Sequence, residues 1–288
     1  MKQFGKTIKF FLIDGDPNGR ITCELSNWTG KAFKIPRKQI KESSDRVELQ
    51  GTGIYMLFGK SDNTGGKDLA YIGEAEGIHK RLVQHLSAKD FWNEAIVFVS
   101  KDENLNKAHI KYIESRLYEI AKEVNRYELE NGNCPPKPKI SESDEAEMEE
   151  FIDKIRLLAN TLGYKIFDEI IKVNQTIEEA ERNTFYIEAT KGAKAKGQST
   201  SEGFVVFKGS SIATSTTNSF PKNWNKLRDI LINDKVILET EESLIFDSDY
   251  LFTSPSAAAA IVMGRSANGL IEWKLKDGRV LKAVETES

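Results

Sequence analysis

The chain has 288 residues, 39% of them hydrophobic and 30% charged, with a net charge of −3, so an ordinary water-soluble composition is spread over a length that favours two domains. Two cysteines and three histidines are too few for a disulfide framework or a zinc site without other ligands. The apolar stretch in MKQFGKTIKFFLIDG is too short for a secretory signal and no run of eighteen apolar residues marks a membrane span, so a cytoplasmic protein with no membrane partner is expected.

Charge is segmental. Residues 1–50 hold ten Lys/Arg against six Asp/Glu, residues 183–235 hold eight against four, and residues 141–153 hold seven acids and no base. Local positive surfaces of this kind can meet phosphates on a mildly acidic protein, because potentials act over about 10 Å at ~0.1 M salt. A solvated lysine face is the plainer reading of the same counts.

In chain order, Thr7–Ile13 and Gly19–Glu24 predict two strands around the turn formers of DGDPNG, an N-terminal β element assigned to residues 1–48. SNWTGKAFKIPRKQI, broken by Pro36 and rich in cations at Arg37, Lys38 and Lys41, leads into the next unit. Gly53–Phe58 and Leu69–Gly73 predict an antiparallel hairpin around the polar loop GKSDNTGGKD. That loop is not a phosphate-binding loop, since Asp68 follows Gly66-Lys67 where a hydroxyl is needed. Ile78, Leu82 and Leu86 recur at helical spacing, Ala95–Ser100 reads as a strand, and Ile113, Leu117, Ile120 and Val124 mark a long helix capped at Asp102 or Asn104.

Prolines 135, 136 and 138 and the acids after them place a linker at 131–144. A helix carrying Phe151, Ile152, Ile155, Leu158 and Leu162 then opens a second α+β domain at 145–288. This domain is read as strands near 184–190 and 203–208, a helix near 222–233, and a helix capped by Ser254 with Pro255 at its first position. A closing hairpin turned at Asp277-Gly278 ends it, with Trp273 a core aromatic. Lys191, Lys194 and Lys196 fall in a glycine-containing loop and are the candidate nucleic-acid contacts of this half.

Between Gly53 and Leu86 the order of residues carries more than the elements do. A tyrosine in each hairpin strand, a helix arginine, a histidine four residues later and a glutamate in the next long helix resemble the GIY-YIG nuclease family, with Gly53-Ile54-Tyr55 and Tyr71-Ile72-Gly73 as the two tokens. The resemblance implies a nuclease domain at 49–130, a small antiparallel sheet flanked by helices. It implies a catalytic set of Tyr55, Tyr71, Arg81, His85, Glu114 and Asn125, with Glu114 as ligand to Mg²⁺ or Mn²⁺. Stretches such as FWNEAIVFVSKDENLNKAHIKYIESRL and, further on, FTSPSAAAAIVMGRSANGLIEWK are similar to bacterial GIY-YIG proteins with a C-terminal DUF4357 domain, which favours DNA as partner.

The residue types suit phosphodiester hydrolysis. A tyrosine, with an ordinary pKa near 10, needs nearby cations to act as a base; Arg81 can hold a phosphate bidentately; and a hard divalent ion accepts one carboxylate plus water and substrate oxygens, so Glu114 alone implies a one-metal site. Tyr55 acting on the water with Tyr71 orienting it is the preferred assignment, the reverse being open. His79 and His109 have no role in this scheme, and Lys80 and Lys111 read as solvated. The expected function is therefore a divalent-metal-dependent DNA endonuclease. The alternatives are a non-cleaving nucleic-acid-binding protein or a nuclease acting on RNA.

Overall fold

The computed structural model describes residues 4–61, 67–169, 183–218, 220–240 and 243–287. Half of the GKSDNTGGKD loop, residues 62–66, lies outside them. The chain is α+β and divides into two compact units, Met1–Asp168 and Glu169–Ser288.

The first unit is built on one sheet. Its strands are β1 (Ile8–Leu12), β2 (Ile21–Leu25), β3 (Gly30–Pro36), β4 (Gly53–Gly59), β5 (Leu69–Ala75), β6 (Glu94–Ser100) and β7 (Glu128–Leu129), in the order β1-β2-β3-β6-β4-β5-β7. Every pairing is antiparallel except β5 with β7. The predicted N-terminal β element is thus not a separate piece. The alternating apolar residues of β3 pair along the whole of β6, from Gly30 opposite Ser100 to Pro36 opposite Glu94, and extend the hairpin sheet.

Strand periodicity sends alternate residues to two buried faces. Ile54, Met56, Ile72, Ile96 and Phe98 meet α2 (Lys107–Val124) and α3 (Glu142–Thr161) on one face; Tyr55, Leu57, Phe33, Ile35 and Val97 meet α1 (Ile78–Ala88) and short 3₁₀ turns over residues 37–50 on the other. Asn106, rather than Asp102 or Asn104, caps α2, its side chain accepting from the amides of Ala108 and His109.

The structure also draws the unit boundary later than the proline-rich stretch suggests. Met148, Phe151, Ile152, Ile155 and Leu158 of α3 are buried in the core shared with α2 and the sheet. The Tyr164 ring stacks on Phe58 at 4.0 Å, and its hydroxyl donates to Glu94. The acids of 142–153 are the solvent side of a helix that belongs to the first unit.

The second unit holds β8 (Phe185–Glu188), β9 (Lys194–Thr200), β10 (Gly203–Val206), β11 (Ser211–Ile212), β12 (Ile237–Glu239), β13 (Leu244–Phe246) and β14 (Tyr250–Phe252). The sheet runs β12-β13-β11-β9-β10-β14, with β8 also on β9. Its helices among the described residues are α4 (Lys222–Asn233), α5 (Pro255–Met263), α6 (Gly269–Glu272) and α7 (Leu281–Glu287). Ala257 to Met263 of α5 are all buried, so this helix is the centre of the core, and Ser254 caps it as expected. The predicted closing hairpin is instead α6 and α7 around a single bridge, Lys274 with Val280, across the Asp277-Gly278 turn. Asn268 caps α6 at Leu270, and LKAVETE after the turn is mostly strong helix formers, Leu, Lys, Ala and Glu. Trp273 is fully buried, packs at a tilt against Phe204 with ring centroids 4.4 Å apart and donates from Nε1 to the Pro255 carbonyl.

Candidate active site

Four of the expected residues converge where β4, β5 and α1 meet, and a fifth, Glu114, reaches the edge of β5 from α2. In register, Tyr55 of β4 stands opposite Gly73 of β5, and Tyr71 opposite Leu57, so both tyrosines project to the α1 face. Gly73 makes this possible. A methyl group there would overlap the Tyr55 hydroxyl and lie 2.9 Å from Cε1 of Tyr71, which explains the glycine of the second token in steric terms. The rings of Tyr55 and Tyr71 stack with centroids 6.1 Å apart, and His85 packs 5.4 Å from each.

Arg81 and His85 reach the pair from one face of α1. The Arg81 Nε–H donates to the Tyr55 hydroxyl at 3.3 Å, and that oxygen lies 2.8 Å from His85 Nε2. Burial, then the charges of Arg81 and Lys89, hold the His85 pKa down to about 4. The imidazole is therefore neutral at pH 7, and the Tyr55 hydroxyl bonded to its Nε2 accepts from Arg81. Tyr55 is fully buried, and desolvation drives its pKa well above the ordinary phenol value, with the Tyr71 hydroxyl bonded to it. Tyr71 is only partly buried, the Arg81 guanidinium also bonds it, and the Lys89 ammonium sits 4.4 Å from its ring centre.

Glu114 approaches from the other face, at the open edge of β5. Along that edge the main chain of β5 is completed in turn by three different partners. The Glu130 amide donates to the Ala70 carbonyl at 2.8 Å. Asn131 then accepts from the Ile72 amide at 3.1 Å and donates to the Ile72 carbonyl at 2.8 Å. Last, the Glu114 carboxylate accepts from the Glu74 amide. Glu114 is half-buried, and desolvation together with the Glu74 carboxylate raises its pKa to about 7.

Two residues were missed by sequence reasoning. Glu74 stands beside Glu114, so the glutamate is not alone as expected; Lys107 Nζ holds Glu74 at 2.9 Å and Glu76 at 3.4 Å. Asn131, within the stretch read as linker, fastens the strand that carries Tyr71. Alternation along β5 sends Glu74 to the α2 side and was the available signal for it. Asn131 had none, being in irregular backbone. Asn125 is not brought to the site. It ends α2 in the left-handed region, at φ 55°, where asparagine is tolerated, and its Oδ1 accepts from Lys67 at 2.8 Å. His79 and His109 bond the backbone carbonyls of Ile40 and Asn104, at 3.0 and 3.3 Å.

Among the described residues no group of three or more His, Cys, Asp or Glu could hold a metal ion. Glu114 with Glu74 is a two-carboxylate donor set, which fits a hard divalent ion that keeps most of its waters and does not fit zinc.

In the second unit, Lys194 and Lys196 lie on strand β9, not in a loop; alternation with buried Ala195 and Gly197 turns both outward. Tyr186 stands opposite Lys196 on β8, and Lys191 is exposed at the preceding turn with φ 62°. None of the three lysines forms an ion pair among the described residues. Residues 185–285 match a family model. Its description is Domain of unknown function (DUF4357). The DUF4357 domain thus spans the sheet and helices of the second unit from β8 into α7. No curated protein and no solved structure matches the chain. No helix among the described residues is long and apolar enough to cross a membrane.

Proposed function

We propose that the first unit is a GIY-YIG-type nuclease domain that hydrolyses phosphodiester bonds in DNA with Mg²⁺ or Mn²⁺. The observation that carries this reading is the convergence of Tyr55, Tyr71, Arg81 and His85 on one face of β4 and β5, with Glu114 at the open edge of β5.

The roles follow from exposure and hydrogen bonding. Tyr71, partly exposed and flanked by Arg81 and Lys89, takes the water-facing role. Tyr55, without exposed surface and bonded to His85 and Arg81, takes the orienting one, the reverse of the assignment preferred from sequence. In the hydrolytic step Tyr71, as the phenolate, takes the water's proton while the water oxygen bonds to phosphorus and the bond to the leaving oxygen breaks, and the leaving oxygen takes a proton from solvent. Arg81, exposed on α1 with its Nη1 donating to Gln84 at 3.3 Å, can turn its fork to the non-bridging phosphate oxygens as charge grows there. Glu114, with Glu74 beside it, would hold the divalent ion, which when bound supplies charge stabilisation at the leaving oxygen.

The DUF4357 domain would hold or select the nucleic acid through Lys191, Lys194 and Lys196, supported by their exposure and by the lack of ion pairs to them among the described residues. Lys107, already on Glu74, favours the second reading, a non-cleaving binder in which an ammonium stands in for the metal. Side-by-side incubation of the full chain and Glu114→Gln with Mg²⁺ and DNA or RNA separates the two. Cleavage lost only in the variant supports the nuclease, whereas binding without cleavage in both supports the binder.

A further inference from the structure

Beside the site, an open groove of about 620 Å³ is lined by Pro36, Arg37, Lys38, Lys41, Leu86 and Asn93. We propose that this groove carries the sugar-phosphate backbone of the substrate strand to the tyrosine pair; the proposal rests on the nuclease reading of that pair.

The groove is built at the C-terminal end of α1, whose free carbonyls would repel an anion. Arg37 removes that obstacle. Its guanidinium donates to the carbonyls of Leu86 and Lys89, each at 2.8 Å, and lies 4.4 Å from the Trp92 ring centre, while its amide donates to Asn93. It is thus spent on structure, and it fixes the following turn against the helix end. That turn runs 3₁₀ over Arg37–Gln39 and remains helical through Ile40 and Lys41. Residues three apart in a 3₁₀ turn eclipse, so Lys38 and Lys41 share one side.

The other cations of this segment are paired, and exposed Glu42 follows Lys41. Lys31 pairs with Glu24 and Glu48, Lys34 with Glu94, and Arg46 with Asp45. Lys38 and Lys41 are exposed and form no ion pair among the described residues. From the helix end that Arg37 caps, Lys89 reaches the Tyr71 ring, so the groove and the water-facing tyrosine meet the same end of α1. Flexible ammonium groups beside a shallow wall of proline and leucine suit a phosphodiester backbone read by charge and not by base.

The test compares the full chain with Lys38→Gln/Lys41→Gln. A control, Lys122→Gln/Lys139→Gln, removes the same charge from exposed positions elsewhere. Binding of labelled duplex DNA, single-stranded DNA and RNA of one sequence is measured in EDTA over a salt series, and cleavage of duplex DNA is measured with Mg²⁺. Two lost contacts lower the log–log salt slope for duplex by about 1.8 and the affinity near 0.1 M salt by at least about tenfold. Cleavage at limiting DNA falls in step with the lost affinity, and the control variant matches wild type. Unchanged affinity and slope in the groove variant, with wild type binding and cutting, overturns the groove and leaves the nuclease reading intact. Absence of both salt-dependent binding and cleavage in wild type overturns the two together. A wild type that binds and loses affinity through these lysines, yet never cuts, supports the groove as a nucleic-acid path and removes the nuclease. If the loss appears only with RNA, the path is an RNA path.

Discussion

The Tyr55 hydroxyl and His85 Nε2 lie 2.8 Å apart in a part of the protein where both side chains are buried, and Arg81 closes the arrangement by donating to the same oxygen. His85 is held neutral, so one of its two ring nitrogens carries a proton and the other does not. Removing the hydroxyl in Tyr55→Phe leaves the buried Nε2 without its partner, while Nδ1 already has none among the described residues. The expected cost is about 1–3 kcal/mol of stability, read by urea denaturation, together with lost cleavage. Unchanged stability would mean that water replaces the hydroxyl.

Gly73→Ala tests the packing of the two tyrosines independently of their chemistry. The added methyl meets the Tyr55 hydroxyl and the Tyr71 ring, so the rings must part or the strand must shift. A destabilisation of about 1–3 kcal/mol is expected from such overpacking, with a changed near-ultraviolet tyrosine signal. Wild-type stability and an unaltered spectrum would show that the site yields freely.

Glu114 makes stability depend on pH. Burial and Glu74 raise its folded pKa to about 7 from an ordinary 4.5. Between those values the folded state keeps a proton that the unfolded state has lost, so this residue's contribution falls as pH rises from about 4.5 to about 7. Glu114→Gln does not titrate. Its melting temperature should therefore gain on wild type across that window and hold the gain above it, although the variant cannot support cleavage. A constant difference from pH 4.5 to 8 would reject the raised pKa.

Arg81→Lys keeps a charge on α1 but loses the planar fork. Turnover should fall at least about tenfold, or about 1.4 kcal/mol of transition-state stabilisation. An unaffected rate would return Arg81 to the solvated face on which much of its side chain lies.

Much of this site is legible in the sequence because it follows short-range periods. Two strands with a tight register place Tyr55, Tyr71 and Gly73, and a four-residue helical step places Arg81 and His85. What the sequence hid depends on long-range pairing. The union of β3 with β6 makes the N-terminal residues part of the same sheet and puts Lys38 and Lys41 beside α1. The edge of β5 is completed by Asn131, which lies 59 positions from Ile72, and no local pattern announces that bond. Alternation misled only where strands are short: Leu270–Leu275 and Arg279–Val284 alternate weakly and fold as α6 and α7.

The most direct measurement of the central claim is cleavage by the purified full chain in Mg²⁺, with duplex, single-stranded and branched DNA and RNA offered side by side, and with Glu114→Gln run under identical conditions. The account predicts scission of DNA by wild type, no scission by the variant, and nucleic-acid affinity in EDTA that is nearly equal for both. Equal scission by the variant, or none by wild type on any of the four substrates, would contradict it.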